Sequence, residues 1–591
     1  MSILETFPNL VEMFFTRAAA KSDAPFLWHK AEGTWTSLSW AAAADQVARI
    51  TEGLRSLGMR PGDRVMLVSE NRPEWCLADL GIMAAGCVTV PTYVTNTERD
   101  HAHVVENSGA RAAIVSTAKL ARTLLPALAR SSACDTLIAL EPVGTGRVGA
   151  VQIHDWSSLL ARQPGDVSAV RSRVTAKRRD LACIIYTSGT GGAPRGVRQH
   201  HGAILQNVNG CMTIIAEDFR PSEEIFLSLL PLSHAYEHSG GQHLPIGLGG
   251  QIYYSEGIDK LAANIEEVKP TIMIVVPRLF ELLRGRILKT IEKDGGLPKW
   301  LLAKALELGA KDRVGLLDKP LDLLLSATIR PKIGKRFGGR MKALVSGGAP
   351  LNPEVGQFFA ALGLTILQGY GQTEAGPVIS CNRPRVGIDH ATVGPPLEGT
   401  EVRIAADGEI LVRGECVMAG YWNNDAESAR VIADGWLHTG DIGEIDDAGR
   451  IRITDRKKDL IINDKGENVA PQRIEGMLTL EPEIGQAMVA GDRRPHLVGL
   501  IEPDIQWMAE WSAANNVPLT EARTAPGLHR ALMAAVDRVN AGLSVTEKVR
   551  RILITDEPFG IENGEMTPSL KIRRHVIRAR YGDRLNALYK A

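Results

Sequence analysis

The sequence contains little cysteine, and its cysteines do not follow the spacing of a disulfide scaffold or a zinc ribbon. Seven cysteines are spread over 591 residues, and none of them forms a C-x-x-C pair. Secreted scaffolds and zinc ribbons both depend on closely spaced cysteines. We therefore expect a protein of a reducing compartment, which predicts a cytoplasmic location.

Excess charge and long apolar runs are also absent. The 68 Lys and Arg residues balance the 68 Asp and Glu residues, so electrostatic binding of nucleic acid is not expected. No run approaches the roughly 18 apolar residues that a membrane-spanning helix needs. Residues 1–15 carry two glutamates and no basic stretch before an apolar core, so we expect no signal peptide.

What the sequence does contain is a regular alternation of short apolar strands with helical segments. This alternation predicts an α/β protein with largely parallel sheets, whose ligands bind beyond the carboxyl ends of the strands. After about residue 394 the strands become short and rich in turns, and from residue 459 strands and helices mix again. The predicted strands of the first region are Arg64–Val68, Cys87–Val90 (ended by Pro91), Ala112–Val115, Thr136–Leu140, Leu181–Tyr186, Ile272–Val276 and Ala343–Val345.

Residues 278–342 form a long helical and basic segment. Six basic residues lie between positions 330 and 342 with no acidic residue among them. The simplest interpretation is a helical insertion whose charged face is solvated. The alternative is contact with an anionic membrane surface, which would place the protein at the inner face of the membrane.

The strongest chemical motif is a loop rich in glycine and hydroxyl groups. Strand Leu181–Tyr186 leads into Thr187, Ser188, Gly189, Thr190, Gly191 and Gly192, and Arg195 follows. Glycines let backbone N–H groups approach an anion, and the hydroxyls and the guanidinium add donors. The loop therefore predicts phosphate binding, although it lacks the GxxxxGK[ST] pattern of a Walker loop.

A second motif, residues 368–374, follows an apolar run. Tyr370 is suited to stacking on a base, Thr373 to bonding a phosphate, and Glu374 to holding Mg²⁺ through hard oxygen ligation. Four further motifs are weak when taken singly. They are Ser346–Leu351 (SGGAPL), Trp436–Asp441 (WLHTGD), Asp455–Ile462 (DRKKDLII) and Asn563–Arg574 (NGEMTPSLKIRR).

Taken together and in this order, the six motifs resemble those of the adenylate-forming superfamily, which comprises acyl-CoA synthetases, luciferases and peptide-synthetase adenylation domains. The resemblance runs from about residue 60 to Lys571. It implies a large N-terminal domain of two doubly wound α/β subdomains plus a small β-barrel, followed by a small mobile α+β domain. The implied boundaries are 1–455 (β-rich part about 394–455), a hinge at 456–458, and 459–591.

The resemblance also implies roles for individual residues. The loop from Thr187 to Gly192 would hold the β- and γ-phosphates of ATP, with Arg195 beside it. Gly348, Ala349 and Tyr370 would frame the adenine, Thr373 and Glu374 would bind the α-phosphate and Mg²⁺, and Asp441 and Arg456 would bind the ribose. Lys571 would bridge the α-phosphate and the substrate carboxylate. Lys458 would be the hinge, and Gly466 would belong to a thiol-binding face.

Two positions of the phosphate loop depart from the family pattern. Gly191 stands where the family usually has threonine, so one hydroxyl is lost, and Arg195 stands where lysine is usual. Either change would alter ATP affinity without removing the glycine nest.

The helical insertion and the segment Pro231–His238 are most similar to long-chain fatty acid–CoA ligases, with His234 ahead of the acyl tunnel. The implied reaction activates a fatty acid with MgATP to an acyl-adenylate and then transfers the acyl group to CoA. Three alternatives stay open: a CoA ligase for a medium-chain or aromatic acid, an acyl-AMP ligase that loads a carrier protein, and an inactive protein with this fold.

A rival hypothesis from another class rests on His234, Glu237 and His238, which match the H-x-x-E-H signature of inverted zinc proteases. Zinc would need both histidines on one helical face and a third ligand. Pro231 before the motif and Gly240-Gly241 after it do not favour a long helix. We therefore rank zinc hydrolysis far below adenylation.

Overall fold

The computed structural model of the chain describes residues 6–144, 146–162, 164–187, 194–309, 311, 315–457, 459–464, 467–567 and 572–590. Helices and strands alternate through most of this length. The strands are β1 (Pro25–Ala31), β2 (Thr34–Ser39), β3 (Arg64–Val68), β4 (Val88–Thr92), β5 (Ala112–Val115), β6 (Thr136–Ala139), β7 (Arg147–Val148), β8 (Val151–Asp155), β9 (Leu181–Thr187), β10 (Arg195–His200), β11 (Ile225–Ser228), β12 (Gln251–Tyr254), β13 (Ile272–Val275), β14 (Ala343–Ser346), β15 (Ile366–Gly371), β16 (Val378–Cys381), β17 (Glu401–Ile404), β18 (Glu409–Arg413), β19 (Ile432–Ala433), β20 (Trp436–Ile445), β21 (Ile451–Arg456), β22 (Ile461–Ile462), β23 (Asn468–Val469), β24 (Ile484–Ala490), β25 (Leu497–Pro503) and β26 (Val549–Ile554).

The helices surround these strands, and a π-helical turn, His238–His243, lies between α9 and α10. The α-helices are α1 (Leu10–Lys21), α2 (Trp40–Ser56), α3 (Pro73–Ala84), α4 (Glu98–Ser108), α5 (Ala118–Arg130), α6 (Trp156–Ala161), α7 (Val167–Ser172), α8 (His201–Asp218), α9 (Ala235–Glu237), α10 (Leu244–Leu248), α11 (Leu261–Val268), α12 (Pro277–Asp294), α13 (Gly296–Gly309), α14 (Lys319–Ala327), α15 (Ile329–Arg336), α16 (Pro353–Ala361), α17 (Asp425–Val431), α18 (Pro471–Leu478), α19 (Ile505–Ala514), α20 (Pro526–Asn540) and α21 (Arg574–Ala587).

Two large, mostly parallel sheets form the first part of the chain. Their strand orders are β16-β15-β14-β13-β11-β12-β1-β2 and β10-β9-β4-β3-β5-β6-β8-β7, with antiparallel strands only at the edges. Helices α1, α2, α3 and α8 contribute to one apolar core that includes residues from both sheets, such as Phe226 and Cys183. The α/β prediction with largely parallel sheets is therefore confirmed.

The second part of the chain is smaller and more mixed. Strands β17 to β21 form an antiparallel sheet with its own apolar core. Beyond it, β22 pairs with β23, and β24, β25 and β26 form a three-stranded sheet. This last sheet packs with α18 and α20 around a separate buried cluster. The change in strand pattern seen in the sequence therefore corresponds to a change of architecture.

The strand predicted over Cys87–Val90 and ended by Pro91 instead runs from Val88 to Thr92. Pro91 lies inside β4, which runs to Thr92 and pairs in parallel with β3 through the Leu67–Pro91 register. Proline lacks an N–H and is tolerated where no ladder bond is needed. On its other side β4 is in register with β9 only at Thr89 and Cys183, so Pro91 lies beyond that pairing.

The basic helical segment folds into helices α12 to α15 and packs a second apolar core against the first sheet. Three of its basic residues are paired: Arg330 with Asp322 of the same segment at 2.7 Å, Lys342 with Glu224, and Arg340 with the Lys269 carbonyl at 2.9 Å. Lys332, Lys335 and Arg336 are exposed. In the described part of the chain, no helix combines the length and apolar character needed to cross a bilayer.

The segment after Pro231 is more helical than the sequence suggested. Helix α9, the π-turn and α10 follow one another without interruption from residue 235 to residue 248. The π-turn accommodates the two glycines, because a Cβ on Gly241 would lie 2.4 Å from the Glu237 carboxylate and one on Gly240 would lie 3.1 Å from Ile274. These glycines, which the sequence pattern indicated as helix breakers, are therefore explained by close packing.

Candidate active site

A large cavity of about 1770 Å³ lies where the carboxyl ends of β9, β14 and β15 meet the antiparallel sheet and the last part of the chain. Parallel strands place their carboxyl ends at one edge, which is where loops of an α/β protein form ligand sites. Ten predicted site residues line this one cavity. They are Thr187, Arg195, His234, Gly348, Ala349, Tyr370, Thr373, Glu374, Asp441 and Arg456.

The carboxylate of Asp441 organises one side of the cavity. Asp441 is 3% exposed, and its two oxygens accept hydrogen bonds from the Tyr370 hydroxyl at 2.8 Å and the Arg456 Nε at 2.9 Å. Burial, together with the Asp441 charge, raises the pKa of the Tyr370 phenol well above its usual value, so the phenol is the donor. The three residues come from β15, β20 and β21, so this contact joins two sheets.

A second chain of contacts runs from Glu374 to Arg195. The Tyr421 hydroxyl donates to Glu374 Oε1 at 2.7 Å, and the Arg195 guanidinium lies 4.9 Å from the centre of the Tyr421 ring. Arg195 also pairs with Glu427. Hydrogen bonding to Arg430, and then to Arg195, holds the pKa of Glu427 at about 2. The arginine that departs from the family pattern is therefore fixed by a carboxylate of α17 at the rim of the cavity.

The remaining described residues are positioned by backbone contacts. The Gln199 amide donates to the Thr373 carbonyl at 2.7 Å. His234 lies just before α9, and its Nδ1 accepts from the Tyr236 N–H at 3.2 Å. The Tyr236 hydroxyl donates to the Val345 carbonyl at 2.9 Å, and a Cβ on Gly347 would lie 2.7 Å from the Tyr236 ring. The SGGAPL turn therefore needs glycine at position 347.

One arm of the cavity is apolar. Every second residue of two strands lines this arm: Ile272 and Ile274 of β13, and Ala343 and Val345 of β14. Alternate residues of a strand point to the same face of the sheet. Helix α8 supplies the opposite wall. The apolar lining residues of this arm include Cys211, Ile214, Ile215, Phe219, Leu244, Ile272, Ile274, Ala343, Val345 and Leu367. The arm thus runs from the carboxyl ends of β13 and β14 towards their amino ends.

Eight of the predicted site residues lie outside the described residues. They are Ser188, Gly189, Thr190, Gly191, Gly192, Lys458, Gly466 and Lys571. Their roles stay predictions, as do those of the ten residues around the cavity. Thr187 and Arg195 flank the phosphate loop, and Thr567 and Ile572 flank the segment that contains Lys571. All four of these flanking residues line the cavity.

Comparison with known proteins agrees with this geometry. The family model for an AMP-binding enzyme matches residues 14–422, and the model for an AMP-binding enzyme C-terminal domain matches residues 458–591. The chain belongs to the AMP-binding enzyme family. The resemblance inferred from the six motifs is therefore confirmed.

Members of this AMP-binding family with curated names match nearly the whole chain. Long-chain-fatty-acid–CoA ligase FadD15 of Mycobacterium tuberculosis is 32% identical over 98% of this chain and 97% of its own length. The peroxisomal long chain acyl-CoA synthetase 7 of Arabidopsis thaliana is 30% identical over 95% and 83%. The adenylation domain of a Mycobacterium chelonae carboxylate reductase shares the fold, with a TM-score of 0.78 at 19% identity, covering 100% of this chain and 92% of that one.

Some residues at the site of this AMP-binding protein were not found by sequence reasoning. Tyr421, Glu427 and Gln199 hold Glu374, Arg195 and Thr373, yet each lies far from its partner in the chain. The apolar arm was missed for the same reason. The H-x-x-E-H pair is not brought together as a zinc motif, because His234 lines the cavity whereas His238 is fully buried and contacts Asp79.

We expect Asp455, at the end of β21, to make stability depend on pH. Burial raises the pKa of its carboxyl to about 6, and its Oδ2 has no hydrogen-bond partner in the described part of the chain. Because the pKa is higher in the folded state, protonation of Asp455 stabilises the fold, and this stabilisation is fully present below the unfolded pKa of about 3.9. It is lost as pH rises through the folded value. Asp455→Asn should therefore raise the melting temperature relative to the wild type more at pH 7.5 than at pH 5.

Thermal unfolding at the two pH values measures this difference. Asp447→Asn, on the exposed turn between β20 and β21, is the matched control and should show no such change between pH 5 and pH 7.5. An equal effect of Asp455→Asn at both pH values would contradict the assignment.

Proposed function

We propose that this chain is an AMP-forming fatty acid–CoA ligase. It activates a fatty acid with ATP to an acyl-adenylate and pyrophosphate, and it then transfers the acyl group to CoA. The observation that carries the proposal is a single cavity in which the ten predicted residues meet an apolar arm. The named relatives that match nearly the full chain support the same substrate class.

The polar end of the cavity suits adenylation. Asp441 and Arg456 would bind the ribose, Tyr370 with the Gly348–Ala349 turn would frame the adenine, and the loop after Thr187 would hold the outer phosphates. Attack of a carboxylate on the α-phosphate brings two anions together, so it needs fixed positive charge. We assign that charge to Lys571, which would offset the repulsion and orient the substrate carboxylate.

A Mg²⁺ ion fits the donor set at the same end of the cavity. This ion prefers octahedral oxygen ligation and usually binds through one or two carboxylates together with substrate phosphates. Glu374 offers a carboxylate that lines the cavity and is oriented by Tyr421, with Thr373 beside it. When bound, the ion would neutralise charge on the phosphates.

The apolar arm would receive the acyl chain. Its walls are apolar side chains of β13, β14, β15 and α8, together with Phe219 and Leu244, and removal of a hydrocarbon chain from water stabilises binding by about 0.8 kcal/mol per methylene. His234 lies in the same cavity, beside Tyr236, where we propose that it contacts the substrate. The arm favours a fatty acid over a small carboxylate.

We further propose that the chain divides at 456–458, with Lys458 as the hinge and residues 459–591 as a domain that turns between the two half-reactions. Strands up to β21 form the first three sheets, and among the described residues the strands from β22 onward pair with one another. One small domain would then present Lys571 for adenylation and afterwards the face around Gly466 for thiol transfer.

The proposed activity is tested by incubating the protein with MgATP, CoA and fatty acids from octanoate to oleate, and by identifying products by mass spectrometry. Acyl-CoA that is most abundant with the long acids is the expected result. Acyl-adenylate without acyl-CoA would point to a carrier protein as the acceptor. No adenylate from any acid would refute the ligase proposal.

Replacing Lys571 with alanine should lower adenylation by about 10²-fold or more, the loss that follows removal of a key electrostatic group. Transfer of the acyl group from supplied acyl-adenylate to CoA should be affected far less, because that half-reaction involves no attack of a carboxylate on the α-phosphate. Both rates are measured separately, with Lys590→Ala near the C-terminus as the matched control. Equal losses in the two half-reactions would contradict this role.

Ala343→Phe should shorten the acids that the enzyme accepts. Ala343 is the first residue of β14 and lines the apolar arm beside Ile272 and Leu367, so a ring there would occupy the inner part of the arm. We expect kcat/KM for palmitate to fall at least about tenfold, while kcat/KM for octanoate changes little. Ala343→Ser is the control. An equal loss for both acids would show that the arm does not hold the acyl chain.

Peripheral membrane contact through residues 278–342 is a further part of the proposal. This segment exposes the side chains of Leu316 (80%), Leu317 (96%) and Trp300 (45%), and it also exposes Lys332, Lys335 and Arg336. Exposed apolar and basic side chains on one segment are suited to the interface of an anionic bilayer. The fatty acid substrate would be present in the same bilayer.

The double substitution Leu316→Ser and Leu317→Ser should weaken binding to vesicles that contain phosphatidylglycerol by at least about tenfold, because two leucines lose burial worth about 1.5–3 kcal/mol each. Vesicle flotation measures the bound fraction, with pure phosphatidylcholine vesicles for comparison. Val545→Ser, at another exposed apolar residue (74%), is the matched control. A wild-type protein that stays unbound with anionic vesicles would contradict the proposal.

A further inference from the structure

A buried polar cluster lies behind the cavity wall, next to Gly240 of the same π-turn, which lines the cavity. Asp79 of α3 and His238 and His243 of the π-turn are all fully buried, and none of the three lines the cavity. None of them has a role in the proposed ligase reaction. The cluster includes His238 of the H-x-x-E-H motif, although with different partners from those the motif would supply.

Three ligand atoms of this cluster converge. Asp79 Oδ2 lies 2.9 Å from His238 Nε2 and 3.6 Å from His243 Nε2, and the two Nε2 atoms are 3.2 Å apart. Four ligands placed tetrahedrally at the zinc–nitrogen and zinc–oxygen distances of about 2.0–2.1 Å are separated by about 3.3 Å. The three measured separations average close to that value, so the atoms already outline one face of a tetrahedron.

The π-turn is what brings the two histidines together. In an α-helix successive residues are rotated by about 100°, so residues five apart point about 140° away from each other. A π-turn instead has backbone hydrogen bonds between residues i and i+5, which brings such residues onto the same side. These turns are rare in proteins overall, but those that occur are often found at functional sites. His238 and His243 are the first and last residues of the π-turn, and their ring centres are 4.6 Å apart.

Several polar atoms of the cluster lack a partner within the described part of the chain. They are Asp79 Oδ1, Gln242 Oε1 and the Nδ1 atoms of His238 and His243. The amide nitrogen of Gln242 lies 2.7 Å from Asp79 Oδ2, so rotation of this amide by half a turn would direct its oxygen to the same point. In that orientation an ion would give the Gln242 oxygen a partner, and leaving such a buried polar group without one costs about 1–3 kcal/mol.

We propose that Asp79, His238 and His243 form a buried site for a zinc ion, with Gln242 as the fourth ligand. Imidazole nitrogens select zinc and similar transition ions over Mg²⁺, which prefers oxygen. A closed site of four protein ligands with no access to solvent is typical of structural zinc. The ion would fasten α3, which packs against the second sheet, to the helical segment that follows β11 of the first sheet.

The site is tested by the metal content of the full chain, expressed without a histidine tag in zinc-supplemented medium and purified without chelator. We expect about one zinc per chain by plasma mass spectrometry. In medium supplemented with cobalt instead, the protein should show the strong visible absorption of tetrahedral cobalt. A folded wild-type protein with no bound metal in either medium would overturn the proposal.

Variants locate the ion and do not depend on ligase activity. His243→Gln and Asp79→Asn should each lower the zinc affinity at least about tenfold, leaving well under half of the wild-type zinc after dialysis. The matched control is His101→Gln, since His101 is another fully buried histidine with both ring nitrogens unpartnered in the described residues. This control should keep its zinc. Should a variant not fold, anomalous diffraction at the zinc edge from wild-type crystals decides the matter, and a peak elsewhere or no peak refutes the site.

Discussion

The buried carboxylate of Asp441 is the contact on which the polar end of the cavity depends. A charge removed from water is tolerated only when it is hydrogen-bonded or paired. Here the Tyr370 phenol and the Arg456 guanidinium both donate hydrogen bonds to the Asp441 carboxylate. Because these partners lie in the last two residues of β15 and β21, satisfying one carboxylate also fixes the antiparallel sheet against the first parallel sheet. The same contact fixes the position of β21, the last strand before the proposed hinge.

The first sheet contributes residues to both the polar end and the apolar arm of the cavity. At the carboxyl ends of β14 and β15 the chain turns through glycines and polar side chains, while nearer the amino ends of β13 and β14 the cavity is lined by Ile272 and Ala343. The period of two along a strand makes this possible, since alternate residues share a face over its whole length. A nucleotide and a hydrocarbon chain can therefore occupy one continuous cavity, with the reacting carboxylate where the two parts meet.

Charge at the rim shows how a departure from the family pattern is accommodated. Arg195 replaces the usual lysine, and its planar guanidinium can pair with Glu427 while lying against the Tyr421 ring, a combination that a compact ammonium cannot reproduce. Tyr421 in turn donates to Glu374. The substitution is thus coupled to the residue that we assign to Mg²⁺, and this link was invisible while the loop was considered as sequence alone.

Sequence patterns that are local in the chain predicted the fold well. Strands β3 and β5 were placed to the residue, and β6, β9, β13 and β14 to within one residue at one end, because a buried strand needs a short apolar run wherever it lies. Errors arose where a neighbour overrode the local rule. Pro91 continues β4 because its missing N–H falls beyond the pairing with β9, and Gly240 and Gly241 lie in a helical turn because larger side chains would collide with Ile274 and Glu237.

The sequence by itself therefore determined the fold class, the family and ten residues that line one cavity, since ordered motifs and hydrophobic periods are properties of the chain. Only the tertiary structure decided which side chains meet. Tyr421 with Glu374, the walls of the apolar arm, and Asp79 with His238 and His243 are all separated by tens to more than a hundred residues. No local pattern encodes such contacts, because they arise when sheets and helices pack, and packing depends on the whole chain at once.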